Sequence, residues 1–380
     1  MKRTLIIDFH FIGHHLHYIR LYAEALLDNG CQVTVAIPKE ALQTNEFKVH
    51  LEKLRDKITL IPFKDCPNKN LKKLFLIRSI TKQTKSNHVY LPIMDGFLQT
   101  ATMVMYKQWP GVRDVPHEGC LFTGSYATKT KHNLLYRFKQ SINEWLVVHT
   151  QFERVYFLNL AVYEYLKKKN YPMLKRAVAM PEPLEPVSPC NREELCAELN
   201  LDPNCKYILS LGVQSLRKGT HLLINAFCKA NLPENSRLLI VGSIMDEVKT
   251  IISAPDIDAN PNIIKIDRYI SDKEFFEYLD VADVIALPYL KHLGSSGIAN
   301  RAIIRNKILV GNSFGYMGSL VEQYYRGIIH SDEIGSLKEA LEKSFGDIPE
   351  EADNIFVKDF SLFHTEEQFK KTIIGDTSVY

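Results

Sequence analysis

Tyr207-Ile-Leu-Ser-Leu-Gly212-Val-Gln-Ser-Leu-Arg217-Lys218-Gly219-Thr220 is the stretch whose reading decides the fold. A short apolar run ends at a glycine, a loop follows, and two adjacent cations stand just ahead of a helix that runs through Phe227. Strand, loop and helix in that order open a βα unit. The same alternation extends downstream, where the pattern predicts strands over Tyr207–Leu211, Arg237–Val241, Ile263–Ile266, Val284–Leu287 and Ile308–Val310. Upstream it predicts Thr4–Phe9, Gln32–Ile37, Ile58–Pro62, Val89–Pro92 and Trp145–His149, with helices such as His15–Asn29 and Leu71–Thr84 between them. Strands this rich in β-branched residues and leucine suit a parallel sheet covered on both faces.

Between the two runs lies Met180-Pro-Glu-Pro-Leu-Glu-Pro-Val-Ser-Pro189, with four prolines in ten residues. Proline fixes φ and offers no amide hydrogen, so the stretch reads as a stiff linker. A helix is expected to start at Asn191, with Glu194 as its capping-box partner. The expected domains are therefore 1–180, a linker at 181–190, 191–358, and a tail at 359–380 that returns to the first domain. The class is α/β: two doubly wound, Rossmann-like domains facing a central cleft, with ligands at the carboxyl ends of both sheets.

Composition agrees with a soluble globular chain of two ordinary domains: 380 residues, 46 % hydrophobic and 24 % charged. No apolar run nears the ~18 residues of a membrane helix. The start, Met1-Lys-Arg-Thr-Leu-Ile-Ile-Asp8, reads as a buried strand rather than a signal peptide. Seven scattered cysteines without a C-x-x-C pair suit a reducing cytosol. Charge is uneven: residues 1–190 hold 27 Lys and Arg against 16 Asp and Glu, and the remainder holds 20 against 28. A basic half suits an anionic partner, while a solvated lysine surface is the plainer alternative.

Three groups of residues carry chemistry. Arg217 and Lys218, after the strand that ends at Gly212, are placed to grip a diphosphate. Gly294-Ser295-Ser296-Gly297 opens a helix near Ile298–Arg305, and unpaired amides at a helix start bind anions. In the first half, Gly13 and His14 follow strand one, and the full dinucleotide fingerprint is absent. His117, Asp95 and Glu118 are the candidates for acid–base work, each set after a predicted strand. A lone histidine is more often structural, and Asp95 could equally cap a helix. Asp256-Ile-Asp258 matches a metal-holding D-x-D pattern, but between prolines and away from a strand's carboxyl end it reads as a turn. No metal and no other cofactor is expected. Nucleic acid is not expected as a partner, because no reading element or aromatic platform appears.

These residues resemble the family 4 group of GT-B glycosyltransferases over nearly the whole chain. Ile12-Gly-His-His through Gly30-Cys-Gln-Val-Thr-Val is similar to that family's glycine loop, first helix and second strand. Ser210-Leu-Gly through Arg217-Lys-Gly resembles its donor-diphosphate motif, and Ser271-Asp-Lys-Glu through Asp283-Val-Ile-Ala-Leu-Pro288 its approach to the donor loop. Asp359-Phe-Ser-Leu-Phe-His364 resembles the start of its terminal helix. The resemblance implies a UDP- or GDP-linked sugar donor in the second domain. It implies an acceptor in the first: a glycan, a lipid-linked molecule or a small molecule, in surface-polysaccharide or glycoconjugate synthesis. The scattered cysteines point to the cytoplasm, and the basic first half to reversible, peripheral association with an anionic membrane surface. By position Gly13 matches the glycine loop, Arg217 and Lys218 the diphosphate pair, and His117 a histidine facing the sugar. The family's two glutamates, seven residues apart, have no counterpart: their places fall near Leu293–Gly294 and at about Arg301. The chain thus reads as a divergent branch. Its alternative reading is a catalytically weak module that binds a nucleotide sugar or glycan as a partner subunit.

Overall fold

The computed structural model describes residues 2–64, 70–94, 105–121, 149–170, 172–292, 294–349 and 354–375. The chain divides into two compact units, Met1–Pro183 with His364–Tyr380, and Leu184–Phe363. The first division falls inside the proline-rich stretch. Leu184, just past it, is buried in the core of the second unit.

The first unit is built on a parallel sheet of seven strands: β1 (Arg3–Ile7), β2 (Gln32–Pro38), β3 (Thr59–Phe63), β4 (His88–Leu91), β5 (His117–Leu121), β6 (Phe152–Phe157) and β7 (Ala177–Ala179). Their order across the sheet is β3-β2-β1-β4-β5-β6-β7. Leu5 and Ile7 enter one apolar cluster while Ile6, between them, enters the other, so the sheet is covered on both faces. Each fully buried Leu or Ile contributes roughly 1.5–3 kcal/mol by leaving water. Helix α1 (His15–Asp28) covers one face and helix α2 (Asn70–Thr84) the other.

The last described helix, Glu366–Ile374, belongs to this unit. Thr365 caps it by accepting the Gln368 amide hydrogen at 3.1 Å. Phe369 is fully buried against the rings of Tyr18 and Tyr22 on α1. Glu366 takes hydrogen bonds from Arg20 at 2.6 Å and His17 at 3.0 Å, and these hold its carboxyl down at about 2. His364 is buried, and its Nδ1 accepts the Glu182 amide hydrogen at 2.8 Å.

The second unit carries β8 (Lys206–Leu211), β9 (Ser236–Val241), β10 (Ile263–Ile266), β11 (Val284–Leu287), β12 (Ile308–Asn312) and β13 (Gly327–His330). All pairs are parallel, in the order β10-β9-β8-β11-β12-β13. It opens with α3 (Arg192–Glu198). Asn191 caps that helix by accepting from the Glu193 amide, and Glu194 bonds the Asn191 side chain instead of closing the expected capping box. Arg192 then reaches the Val281 and Cys205 carbonyls and Asp283, whose carboxylate also takes the Tyr207 amide hydrogen at 2.8 Å. Asp283 is thus a fastener between α3, β8 and β11. Asp256-Ile-Asp258 lies in a one-turn helix, Pro255–Asp258, where Asp258 pairs with Lys265.

Several expectations need correction. Strands β5, β6, β7 and β13 were not predicted, and most of Trp145–His149 lies outside the described residues, as does Asp95. His117 and Glu118 do not stand on a loop past a strand; they are the first two residues of β5 itself. Both are buried. The two His117 ring nitrogens are taken by the Val115 carbonyl at 2.8 Å and the Tyr106 hydroxyl at 3.2 Å. Glu118 is held by His88 at 2.8 Å and by the Tyr156 hydroxyl. They sit at the amino end of the sheet, away from the edge where α/β sheets bind ligands. Neither is therefore a catalytic group; both are satisfied core residues.

Burial lowers the His117 imidazole to about 4. Its unfolded value is near 6.5, so the unfolded chain takes up a proton first as pH falls. Stability is whole above that value and is lost as pH drops toward about 4. His117→Phe should flatten the fall in unfolding free energy between pH 7 and 5 by about 2 kcal/mol. Urea titrations of both proteins at the two pH values measure this.

Candidate functional site

In the second unit the strand order reverses between β8 and β11. Open α/β sheets bind ligands outside the carboxyl ends of strands at such a switch point. The loops after β8 and β11 both emerge there and interlock. The Leu290 amide hydrogen bonds the Arg217 carbonyl at 2.9 Å. A Cβ on Gly219 would lie 2.0 Å from the Pro288 carbonyl oxygen, so only glycine lets the two loops touch.

The β8 loop is shaped by a residue that composition gives no reason to single out. Gln214 is fully buried. Its Oε1 accepts from the Ser210 and Thr220 hydroxyls, both at 2.9 Å. Its Nε2 donates to the carbonyls of Gly212 at 2.8 Å, Ser210 at 3.0 Å and Val241 at 3.1 Å. A buried amide with both ends satisfied is a rigid pin. It fixes the path that carries the chain to Arg217 and Lys218.

Lys218 turns back over the loop. Its Nζ donates to the Leu211 carbonyl at 3.2 Å and lies 5.4 Å from the centre of the Tyr289 ring. Burial, helped by the neighbouring Arg217, lowers this amine to about 8. Arg217 is exposed beside it. The β11 loop returns through His292, whose Nε2 donates to the Ser295 carbonyl at 3.1 Å, and opens α5 (Gly297–Ile304). Ser296 caps α5 by accepting the Ala299 amide hydrogen and also bonds the Tyr289 hydroxyl, which burial pushes up to about 12. The Gly297 and Ile298 amides have no acceptor within the helix. Ile298 comes within 3.8 Å of where a Gly212 Cβ would stand, so the α5 start and the cation loop form one surface.

The structure thus brings together Gly212, Arg217, Lys218, Ser296 and Gly297, with Gly294 and Ser295 on the same loop. Arg301 is different. It lies one turn into α5 and makes a two-pronged bond to Glu185, at 2.9 and 2.8 Å, so its charge is already met. The sequence also offers Arg301 as a donor contact; the fold ties it to Glu185.

In the first unit the reversal falls between β1 and β4. Gly13, at φ +73°, and His14 lie on the loop between β1 and α1. The loop also holds two groups whose pairing the sequence did not suggest. Asp8, just past β1 and buried, meets His15, the first residue of α1: Oδ2 and Nδ1 are 2.8 Å apart. The only sequence signal was a seven-residue spacing across Gly13. Among the described residues no group of three or more His, Cys, Asp or Glu side chains could hold a metal ion.

No known family profile and no curated protein matches the sequence. Solved structures do match the fold over the whole chain. Alr3699/HepE of Anabaena, in complex with UDP and glucose, superposes with a TM-score of 0.69 at 15 % identity, covering 100 % of both chains. A glycosyltransferase from Rickettsia africae ESF-5 gives 0.67 at 13 % identity, over 99 % of both. WaaG, a glycosyltransferase involved in lipopolysaccharide biosynthesis, gives 0.63 at 16 % identity, over 98 % of this chain and 100 % of that one. The chain has the two-unit GT-B architecture.

A diphosphate at this site would favour the charged form of Lys218, whose amine sits near 8. Binding should therefore take up a proton above about pH 8, and affinity should fall by up to about tenfold for each further pH unit. Calorimetry with UDP in buffers of different ionisation enthalpy reads the uptake. Lys218→Met should abolish it.

Proposed function

We propose that the chain is a glycosyltransferase that moves a hexose or related sugar from a UDP- or GDP-linked donor to a glycan or lipid-linked acceptor. One observation carries the reading. A pinned loop puts Arg217 and Lys218 beside the open amides of α5 at the carboxyl end of β8 and β11. As the sugar leaves, negative charge grows on the diphosphate. Two cations and preorganised amides meet that charge best in the transition state. They can do so without a metal, and we propose a metal-independent transfer. The structural neighbours add support, because HepE was solved with UDP and with UDP-glucose.

Arg217→Ala or Lys218→Ala should each remove roughly 1.5–3 kcal/mol of charge-assisted binding. UDP or GDP affinity should fall by about one to two decades. Transfer should persist in excess EDTA. Unchanged affinity in both variants would sink the site assignment. Loss in EDTA restored by manganese would overturn metal independence alone.

The acceptor side of the proposal is a peripheral enzyme on an anionic membrane. No helix among the described residues is long and apolar enough to cross one. On α2, Leu74, Ile77 and Ile80 are buried in the core, while Leu71 and Phe75 are exposed. Phe75 lies 4.4 Å from the Trp109 ring, near exposed Met105. Lys72, Lys82 and Arg113 are exposed as well. Exposed apolar side chains together with exposed cations suit anionic head groups, at about 1 kcal/mol per basic residue. A further basic stretch of the sequence, Lys129, Lys131, Arg137 and Lys139, lies outside the described residues. Phe75→Ser with Lys72→Ser should reduce cosedimentation with phosphatidylserine vesicles severalfold, and high salt should do the same to the native chain. No binding at low salt would instead favour an acceptor that is free in solution.

A further inference from the structure

The first unit has a hollow at the end of its sheet opposite the switch point. A cavity of about 510 Å³ opens between the amino ends of β1, β2 and β3 and the last turn of α2. We propose that this cavity is a binding site for a phosphorylated monosaccharide, separate from the diphosphate loop of the second unit. The proposal stands independently of the transferase reading.

The hollow follows from the sequence of three strands on one face. Leu5, Ala36 and Ile61 on that face belong to the apolar cluster under α2 or pack against it. Two residues earlier on each strand stand Arg3, Thr34 and Thr59. They share the face because strand side chains alternate with a period of two. On α2 the buried stripe of Leu74, Ile77 and Ile80 likewise gives way to Gln83 and Thr84. Apolar filling stops at the same level in both layers, and mostly polar side chains line the space that remains.

The lining fits an anionic polyol. Arg3 and Lys57 bring two cations to it, and no Asp or Glu is among its described residues. Neither cation pairs with a carboxylate among the described residues. A guanidinium fork and an ammonium suit a phosphate. The carboxyl end of α2 does not oppose the anion with open carbonyls. Those of Ile77 and Ile80 are taken by the Thr81 and Thr84 hydroxyls at 2.7 and 2.8 Å, and those of Thr81 and Lys82 by the Ser86 and Lys85 amides. Thr34 lines the cavity at 9 % exposure, and among the described residues its hydroxyl has no hydrogen-bond partner. A buried hydroxyl left unpaired is costly, and a ligand hydroxyl would meet it. Gln32 and Gln83 add amides, and Ile61 adds an apolar wall for the carbon face of a sugar ring. No aromatic side chain is among the described lining, so a nucleobase finds no platform.

Size and place agree. Small-ligand cavities run to roughly 300–1,000 Å³, so a hexose phosphate fits. Strand β1 has five residues, and at about 3.3 Å each it separates Arg3 from the loop of Asp8, Gly13 and His14 by about 16 Å. A ligand at the amino end therefore shares no residue with one at the switch point of the same sheet.

The test is calorimetry on the whole chain in excess UDP, which fills the diphosphate loop. Glucose 6-phosphate, glucose 1-phosphate, mannose 6-phosphate and fructose 6-phosphate are titrated beside glucose and inorganic phosphate. We expect at least one hexose phosphate to bind about tenfold or more tighter than either half alone. Arg3→Gln and Lys57→Gln should each weaken it about tenfold, and Thr34→Val severalfold, with UDP affinity unchanged. Arg217→Ala should leave hexose phosphate affinity unchanged. If Thr34→Val folds poorly, the two surface variants carry the test. No hexose phosphate binding tighter than inorganic phosphate, or binding that neither surface variant moves, overturns the proposal. Hexose phosphate binding in a chain that fails to bind UDP or GDP would strike the transferase reading and leave this site standing.

Discussion

Right-handed crossovers leave a parallel sheet on one face when the chain steps one way and on the other face when it steps back. From β8 the chain steps to β9, and from β11 it steps to β12 on the opposite side. Helix α4 (Thr220–Lys229), which follows β8, therefore packs its Leu223, Ile224 and Phe227 into one apolar cluster. Helix α5, which follows β11, packs Ala299, Ala302 and Ile303 into the other. Two helices that diverge from adjacent strands leave a gap above the carboxyl ends that neither can cover. The loops leading into them are the walls of that gap, and their residues are those with chemistry to do. The first sheet reverses in the same way between β1 and β4, and Asp8, Gly13, His14 and His15 collect there.

Several cations of the second unit pair with carboxylates. Arg192 meets Asp283, Arg305 meets Asp280 and Lys249 meets Asp267, so these cations are answered within the fold. Lys218 is buried enough to depress its amine to about 8, and its Nζ donates to the neutral Leu211 carbonyl. A desolvated ammonium held by a neutral acceptor is poorly stabilised. An anion beside Lys218 would supply that countercharge.

Much of the second half was legible because its strands are dense in Ile, Leu and Val: Ile263–Ile266 and Val284–Leu287 were read to the residue. β5 was not legible. His117-Glu-Gly-Cys-Leu121 has no β-branched residue and includes two ionisable ones, and only its tertiary partners make it a strand. Taking that segment for a loop also put His117 where a catalytic histidine would stand. The cation pair Arg217-Lys218 could be found because loop-to-helix position is written along the chain. The Gln214 pin and the Asp8–His15 pair could not, since a hydrogen-bond partner is a fact of folding rather than of spacing. Arg301 misled for the same reason. Its partner Glu185 lies in the proline-rich stretch, 116 residues away.

That pair has a consequence for the α5 amides. Arg301 donates through Nη1 to the Gly297 carbonyl at 3.1 Å while Glu185 holds its other nitrogens. The first turn of α5 is therefore braced by its own cap, Ser296, and by a guanidinium that cannot leave. Amides aimed at growing charge are useful only if they do not have to be reoriented at the moment of reaction. A glycine-led helix start would otherwise be loose, since glycine loses the most freedom on ordering. Arg301 thus holds the first turn of α5 through the Gly297 carbonyl while Glu185 holds Arg301.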